Sequence, residues 1–111
     1  MTKQEELTLM RIFIGENDRY KRKPLYQVLV ELFREEGFGG ATVLKGAMGF
    51  GAQSKMHSDH LLRLSSDLPI VVEVVESQEK IDAILPRIED MFESGLITLE
   101  KAWVIRFGTK E

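Results

Sequence analysis

Two amphipathic stripes, each preceded by an apolar run, constrain the fold of this chain more than any other feature of its sequence. The first stripe begins after Pro24, whose fixed φ and missing N–H suit a first helical position, and Gly37 supplies its left-handed C-terminal cap. The second begins after Ser77, a good N-cap residue, and is expected to kink at Pro86 and to close at Gly95. The apolar positions recur at helical spacing: Leu25, Val28, Leu29, Leu32 and Phe33, then Ile81, Ile84, Leu85, Ile88 and Phe92. The sequence therefore predicts two helices that each bury one face.

Four apolar runs alternate with these helices and predict strands. They span residues 7–14, 41–45, 70–75 and roughly 98–107. In the last run Trp103, Ile105 and Phe107 share one face of the strand. The order is βαββαβ, the ferredoxin-like arrangement, an α+β fold in which a four-stranded antiparallel sheet carries both helices on one face.

The other face of the predicted sheet carries no helix. In a monomer its Val, Ile and Trp side chains would be exposed to water, so we expect an oligomer that buries this face. Glu73 lies between Val72 and Val74 in the third strand, and its carboxylate must therefore face solvent, a partner or that interface.

Composition and charge exclude several classes of partner and chemistry. The chain has 111 residues, which predicts a single domain over 1–111, and its 15 basic and 18 acidic side chains give a net charge of −3. This charge argues against nucleic acid as a partner. No apolar run reaches the roughly 18 residues of a membrane helix, and the N-terminus lacks the pattern of a signal peptide, so we expect a cytoplasmic protein without membrane insertion. The absence of cysteine removes disulfide, thiolate and cysteine–zinc chemistry.

Glycines concentrate around the second predicted strand and suggest an anion site there. Six of the nine glycines lie between positions 37 and 51. After Lys45, the glycines at 46, 49 and 51 would expose successive backbone N–H groups to an anion while the lysine supplies charge. The alternative is that these glycines only shape a hairpin. No clean periodicity follows, and residues 49–68 are predicted to form a long mobile loop in which function is expected to reside.

Two further groups of basic residues are candidates for anion binding. Arg19, Lys21, Arg22 and Lys23 precede a helix N-terminus, where free N–H groups favour anions, although a solvated loop explains them equally well. Arg106 should point to the face opposite its apolar neighbours and could reach a ligand or a second subunit, although a surface arginine is the simpler interpretation.

Metal binding and catalysis have weaker support in the sequence. His57, Asp59 and His60 could offer ligands to a metal, but they lack the regular spacing of a helical metal motif. No Ser/His/Asp triad can be identified and no carboxylate pair at helical spacing can be assigned a catalytic role, so we expect a protein that is not an enzyme.

The residues quoted so far occur together in four longer stretches of sequence. They read ENDRYKRKPLY, GATVLKGAMGFG, LSSDLPIVVEVVES and GLITLEKAWVIRFG. From about Leu9 to Gly108 the chain resembles the uncharacterised bacterial and archaeal family called PII-like, which is related to the PII nitrogen-regulatory signalling proteins. The resemblance implies a ferredoxin-like subunit that forms a trimer, binds adenine nucleotides in clefts between subunits and reports energy or nitrogen status through a long mobile loop.

The resemblance also implies roles for individual residues. Those that fall at or beside the base of the PII mobile loop, whose backbone meets nucleotide phosphates, are Lys45, Gly46, Gly49, Phe50 and Gly51. Arg106 falls on one of the basic positions near the end of the last strand that contact phosphates in PII proteins. The segment through His57 and Arg63 takes the place of the mobile loop.

Two departures from the PII pattern remove phosphate contacts. A second arginine that PII proteins place after this one is replaced by Phe107 and Gly108, and the glycine-rich loop after the second helix is reduced to Gly95-Leu96-Ile97. These losses favour a diphosphate, monophosphate or cyclic nucleotide over a triphosphate. The hypothesis that follows is that Lys21 and Lys23 substitute for the missing contacts.

The leading hypothesis is therefore a regulatory trimer that binds ADP, AMP or ATP, needs no obligatory cofactor and modulates a protein partner such as a membrane transporter or channel. Two alternatives stay open. One is a trimeric divalent-metal-binding protein of the same fold, resembling the divalent-cation tolerance proteins, with His57 and His60 as ligands. The other is a phosphate-ester hydrolase that uses the same anion site.

Overall fold

The predicted order of strands and helices is present, with one added hairpin, in a computed structural model that describes residues 3–50 and 67–108. The elements are β1 (Lys3–Gly15), β2 (Arg19–Tyr20), β3 (Lys23–Pro24), α1 (Leu25–Glu35), β4 (Thr42–Lys45), β5 (Pro69–Glu76), α2 (Gln78–Glu89) and β6 (Leu96–Arg106). Four strands form an antiparallel sheet in the order β4-β5-β1-β6, and β2 pairs with β3. The ferredoxin-like α+β fold predicted from the sequence is confirmed.

Alternation along the two central strands produces the core. Met10, Ile12 and Ile14 of β1 pair with apolar residues of β5 and lie under both helices. The buried core consists of Met10, Ile12, Ile14, Leu25, Leu29, Leu32, Phe33, Ile70, Val72, Val74, Ile81, Ile84 and Ile88. Thr8, the one buried polar residue among those described, donates its hydroxyl to Gln78 Oε1 at 2.6 Å. This bond satisfies the hydroxyl where helix α2 begins.

Local sequence explains the first three helix boundaries. Pro24 caps α1 in an extended conformation, and Gly37 follows the helix with φ of 80°, the left-handed conformation predicted for it. The hydroxyl of Ser77 accepts the backbone N–H of Lys80 at 3.3 Å, which confirms the predicted N-cap of α2.

The end of α2 differs from the prediction. The helix runs through Pro86 and ends at Glu89, so Phe92 packs against the core from beyond the helix. Backbone bonds spanning three residues, such as that from the N–H of Met91 to the carbonyl of Ile88, tighten the chain at this end. Gly95 serves a different purpose, because a Cβ there would lie 3.0 Å from the carbonyl oxygen of Phe13 in β1.

The polar segment before α1, predicted to be a loop, is a hairpin in which β2 and β3 are joined by a two-residue turn. Its tip residues Lys21 and Arg22 have φ of 49° and 73°. The backbone N–H of Leu25 donates to the carbonyl of Asp18 at 2.8 Å and closes the base of the hairpin. The sequence did not predict this turn because such turns favour asparagine and glycine.

The sheet face without helices carries rows of paired side chains. One apolar row crosses all four strands through Leu44, Val71, Phe13 and Leu96. The next row is polar, and in it Arg11 Nε lies 2.8 Å from the carboxylate of Glu73. The predicted open apolar face is therefore present, and Glu73 lies on it with a partner in its own chain.

The placement of Trp103 and Ile105 differs from the prediction of an exposed tryptophan on the open face. These residues pair with Glu6 and Gln4, on the side of the sheet that carries the helices. They are exposed because β1 begins at Lys3, earlier than predicted, and its first residues pair with β6 in a two-stranded ribbon beyond the end of β5. The sequence showed which residues share a face but not where the helices stop covering it.

Candidate functional site

The end of the sheet where β4 finishes holds the glycines that the sequence singled out. Gly46 donates its backbone N–H to the carbonyl of Pro69 at 2.8 Å. A Cβ on Gly46 would lie 2.7 Å from Cγ of Pro69, and a Cβ on Gly49 would lie 3.0 Å from the same atom. The glycines therefore allow the chain to leave β4 in contact with the proline ring. Phe50 follows with 68% of its surface exposed. We call this region the β4 end.

Glu16 connects both ends of the link between β4 and β5. Its carboxylate lies 2.7 Å from the ammonium of Lys45, and its backbone N–H donates to the carbonyl of Leu68 at 2.8 Å. The neighbouring Asn17 N–H donates to the carboxylate of Asp67 at 3.2 Å. The bond with Lys45 lowers the pKa of Glu16 and raises the pKa of Lys45. An anion that reaches Lys45 must therefore compete with a carboxylate already bound there.

A second cluster lies beyond the end of β5, at the opposite end of the sheet. An open groove of about 510 Å³ is lined there by Leu7, Gly37, Gly39, Val75, Glu76, Lys80, Val104 and Arg106. Lys80 Nζ donates to the carbonyl of Gly37 at 2.9 Å, and the N–H of Gly39 donates to the carboxylate of Glu76 at 3.2 Å. Arg106 Nε lies 3.4 Å from a carboxylate oxygen of Glu5. We call this the ribbon groove; it combines two cations, glycine backbone and an apolar wall.

Of the groove residues, only Arg106 was predicted from the sequence as a binding candidate. Lys80 was missed because a lysine in an amphipathic helix ordinarily points into solvent. Gly37 was interpreted only as a helix cap, and nothing in the sequence placed Glu76 beside Gly39. The density of glycines from position 37 onward was the available signal, but only those after Lys45 stand beside a cation in the sequence.

The two clusters are far apart within one chain. Lys45 pairs with Ile70 and thus stands level with Ile14 of β1, whereas Arg106 pairs with Lys3. A strand rises about 3.3 Å per residue, so roughly 35 Å separates the two levels. A single chain therefore does not bring Lys45 and Arg106 together, and a ligand that contacts both requires two chains.

The two lysines predicted to replace phosphate contacts lie on the β2–β3 hairpin. Lys23 Nζ is 3.5 Å from the carboxylate of Glu31 in α1, and Lys21 Nζ is 5.3 Å from the ring centre of Tyr20. Among the described residues, no hydrogen bond or ion pair joins either lysine to Lys45 or to the ribbon groove. Their role in nucleotide binding stays a prediction.

The metal alternative rests on two histidines. Gly51, His57 and His60 lie outside the described residues, as does most of the loop predicted over 49–68. In the parts that the structure does describe, no three histidine or carboxylate side chains are grouped closely enough to hold a metal ion. No helix within those parts is long and apolar enough to cross a membrane.

The sequence has close relatives in bacteria and archaea. A UPF0166 protein of Aquifex aeolicus (strain VF5) is 40% identical over 97 residues, which cover 87% of this chain and 91% of the relative. A UPF0166 protein of Methanocaldococcus jannaschii is 31% identical over 104 residues, which cover 93% of this chain and 95% of the relative.

Solved structures of CPII, a nitrogen regulatory PII-like protein from Thiomonas intermedia K12, have a similar fold. The apo form matches with a TM-score of 0.66 at 18% identity, over 96% of this chain and 99% of CPII. The form bound to ADP, AMP and bicarbonate matches with a TM-score of 0.67 at 21% identity, over 94% of this chain and 92% of CPII. These matches confirm the PII-like fold that the resemblance implied.

The model of the family DUF190, described as "Uncharacterized ACR", matches residues 7–104. This range begins within β1 and ends two residues before the end of β6. It contains the residues of both clusters except Arg106. The chain therefore belongs to the DUF190 family, whose fold here is that of the PII-like proteins.

Proposed function

We propose that the protein is a PII-like regulator that binds an adenine nucleotide between two subunits of a homotrimer and thereby changes its affinity for a protein partner. The observation that carries the proposal is the division of the candidate site into two halves at opposite ends of one chain. CPII, which shares the fold, binds ADP and AMP, and this supports an adenine nucleotide as the ligand.

The open sheet face provides the surface for assembly. Phe13, Leu44 and Leu96 are 36%, 48% and 56% exposed in the isolated chain, so their association would remove apolar surface from water. Copies arranged head to tail around a threefold axis close into a ring in which one kind of contact is repeated. In such a ring the β4 end of one subunit can meet the ribbon groove of the next and complete a site.

Each half supplies a different part of nucleotide recognition. At the β4 end, Lys45 and the N–H group of Gly49 suit phosphate, Gly46 lets the chain turn beside them, and the exposed Phe50 ring offers a surface for the base. From the neighbouring subunit, Lys80 and Arg106 add charge. Gly51, Lys21 and Lys23 are further predicted phosphate contacts. The small number of cations favours ADP or AMP over ATP.

The proposed action is regulation by binding, without a chemical reaction. If nucleotide and partner bind to coupled states of the protein, each must change the affinity of the other by the same factor. The partner we expect is a membrane transporter or channel whose regulatory surface faces the cytoplasm, where the protein meets adenine nucleotides.

Mixing two inactive variants tests whether the site is shared. Lys45→Ala and Arg106→Ala should each lose ADP binding in titration calorimetry. When the two variants are unfolded together and refolded as mixed trimers, about one quarter of the interfaces combine an intact Lys45 with an intact Arg106, so about that fraction of sites should return. No return of binding would show that the two residues do not serve one shared site.

A ligand panel tests the nature of the ligand itself. Purified wild-type protein, treated with a chelator, is melted with ADP, AMP, ATP, cyclic AMP, GTP and divalent metals. A ligand at about 100 times its dissociation constant adds roughly 2.7 kcal/mol to the native state, enough for a clear rise in Tm. Stabilisation by ADP or AMP without metal supports the proposal. A response only to metal, reversed by chelator, would contradict it and favour the site at His57 and His60.

A further inference from the structure

The tip of the β2–β3 hairpin holds two basic residues in a backbone conformation that is unfavourable for residues other than glycine. Lys21 and Arg22 both lie in the left-handed region, with φ of 49° and 73°. In this region the Cβ crowds the following carbonyl oxygen, so non-glycine residues are uncommon there. A two-residue hairpin of this kind is most stable with Asn-Gly. The chain therefore carries long cationic side chains where folding alone would favour small, neutral ones.

The hairpin is fixed to the rest of the molecule at several points. The Tyr20 ring packs against the hydrophobic core, and the ammonium of Lys21 lies over it at 5.3 Å from the ring centre. Arg19 Nη2 donates to the carbonyl of Arg22 at 3.2 Å and spans the turn. The tip is thus held in one shape by contacts on both of its strands, and it presents its charges from a fixed position.

The charges at the tip are poorly neutralised. Lys23 has a carboxylate partner in Glu31 at 3.5 Å. For Arg19, Lys21 and Arg22, no carboxylate of residues 3–50 or 67–108 lies within ion-pairing distance. All four cations are exposed. A concentrated positive charge therefore stands on a chain whose net charge is −3.

We propose that the hairpin tip, residues 19–23, docks into an acidic pocket of a protein partner. Arginine guanidinium groups bind carboxylates through two parallel hydrogen bonds, and lysine adds charge without a fixed geometry. Because the tip is a two-residue turn between two short strands, it suits a concave site lined by aspartate and glutamate. Lys21 and Lys23 are also predicted phosphate contacts of the nucleotide site, so docking is tested in the absence of nucleotide.

Charge and shape favour an acidic protein over an anionic membrane as the partner of the tip. The only aromatic side chain in the tip, Tyr20, is half-buried against the core, and residues 19–23 include no aliphatic side chain that could insert between lipids. Electrostatic interactions reach about 8 Å at physiological salt, so an extended anionic surface would also meet the acidic remainder of the chain. A compact pocket meets the tip alone.

Two variants separate charge from backbone conformation. Lys21→Gln with Arg22→Gln removes the charges and keeps the strained turn, whereas Lys21→Asn with Arg22→Gly removes the charges and relieves the turn. Arg34→Gln with Lys101→Gln removes the same charge from exposed positions elsewhere and serves as the control. The probe is a fluorescent glutamate-rich peptide, with its glutamine-rich counterpart as a blank, and binding is followed by anisotropy at low and moderate salt.

The wild-type protein should bind the glutamate peptide with an affinity that falls as salt rises. Both tip variants should weaken binding by about fivefold or more, and the control should not. Only the Asn-Gly variant should also unfold at a higher temperature, by roughly 4 °C. Equal weakening in the control, or unchanged binding by the Gln variant, would overturn the proposal. Binding to phosphatidylserine vesicles but not to the peptide would also overturn it, in favour of a membrane.

Discussion

The two ends of the sheet present cations to solvent in different ways. At the β4 end, Lys45 is held by Glu16 at 2.7 Å, and the backbone beyond it passes too close to Pro69 for a side chain. In the ribbon groove, Arg106 and Lys80 are 3.4 Å and 3.8 Å from their carboxylates, and the groove is open. One half is closely packed and already bound to an internal anion, whereas the other is open and weakly paired.

This difference indicates how much each half of the proposed shared site would gain by binding a ligand. A ligand gains little at the β4 end unless it replaces the Glu16 carboxylate, because Lys45 already has a partner. The ribbon groove has no such competitor of comparable strength, since its closest ion pair is longer, at 3.4 Å. In the proposed shared site neither half is complete, and the two act together only if copies associate.

The largest expected effect comes from preventing that association. Phe13→Glu places a charge in the apolar row of the open face, where an assembled protein would have to bury it. We expect the trimer to dissociate in light-scattering measurements and the affinity for ADP to fall by more than about 100-fold.

The control for this variant is Leu99→Glu, which alters an exposed apolar residue of the same pair of strands on the opposite side of the sheet. The control should remain a trimer and bind ADP. If Phe13→Glu stays trimeric with full ADP binding, the open face is not the assembly surface.

The next largest effect concerns the close packing at the β4 end. Gly46→Ala puts a methyl group 2.7 Å from Cγ of Pro69, so the proline ring or the backbone at Gly46 must shift. Overpacking of this kind costs about 1–3 kcal/mol, and the displaced N–H groups should weaken ADP binding by roughly tenfold. The matched control is Gly40→Ala, where an added Cβ meets nothing within 4 Å. Urea denaturation and calorimetry check both effects, and equal behaviour of the two variants would contradict the expected clash.

The sequence predicted a close approach of the backbone at these glycines, but it did not predict which residues lie beside them. Repeated glycines after a strand are a local signal of close approach, and the contact of Gly46 with Pro69 has that character. The bond between Glu16 and Lys45 joins residues distant in sequence and depends on the register of three strands, which periodicity alone does not fix.

The fold shows the same division between local and distant determinants. Both helices and the four main strands follow from apolar periodicity, because each element buries one face. The hairpin at Lys21 and Arg22 escaped prediction because its residues oppose the preference of the turn. Trp103 was assigned to the wrong side because alternation does not show how far a helix layer extends over a long strand.

A smaller effect is expected from the open half of the site. Lys80→Met retains the aliphatic part of the side chain and removes its charge from the ribbon groove. We expect ADP binding to weaken by about fivefold, since one charged contact is lost while Arg106 remains. The control is Arg87→Met, which lies about two turns further along the same helix and pairs with Glu36. This variant should bind ADP normally. Unchanged affinity in Lys80→Met would limit the ribbon half of the site to Arg106.

The smallest effect is a gain of affinity at the β4 end. Glu16→Gln removes the carboxylate that competes for Lys45 and keeps the backbone N–H that binds Leu68. ADP should therefore bind about threefold more tightly to this variant than to the wild type. Glu31→Gln, which releases Lys23 on the hairpin, is the matched control and should leave ADP affinity unchanged. Tighter binding in both variants would indicate a general effect of charge, and tighter binding in neither would show that Glu16 does not compete with the ligand.

The pH dependence of stability provides an independent signature of the same ion pair. Because the Lys45 bond lowers the pKa of Glu16 below its usual 4.5, the pair stabilises the folded chain above that pH and is lost as pH falls through the lowered pKa. The pKa of Lys45 is raised above its usual 10.5, so its contribution is complete below that pH and is lost only as pH rises through the raised pKa. Wild type should therefore exceed Glu16→Gln slightly in urea midpoint at neutral pH, and the two should converge in acid. A difference that persists in acid would have to come from packing, and the competition for Lys45 would then lose its electrostatic basis.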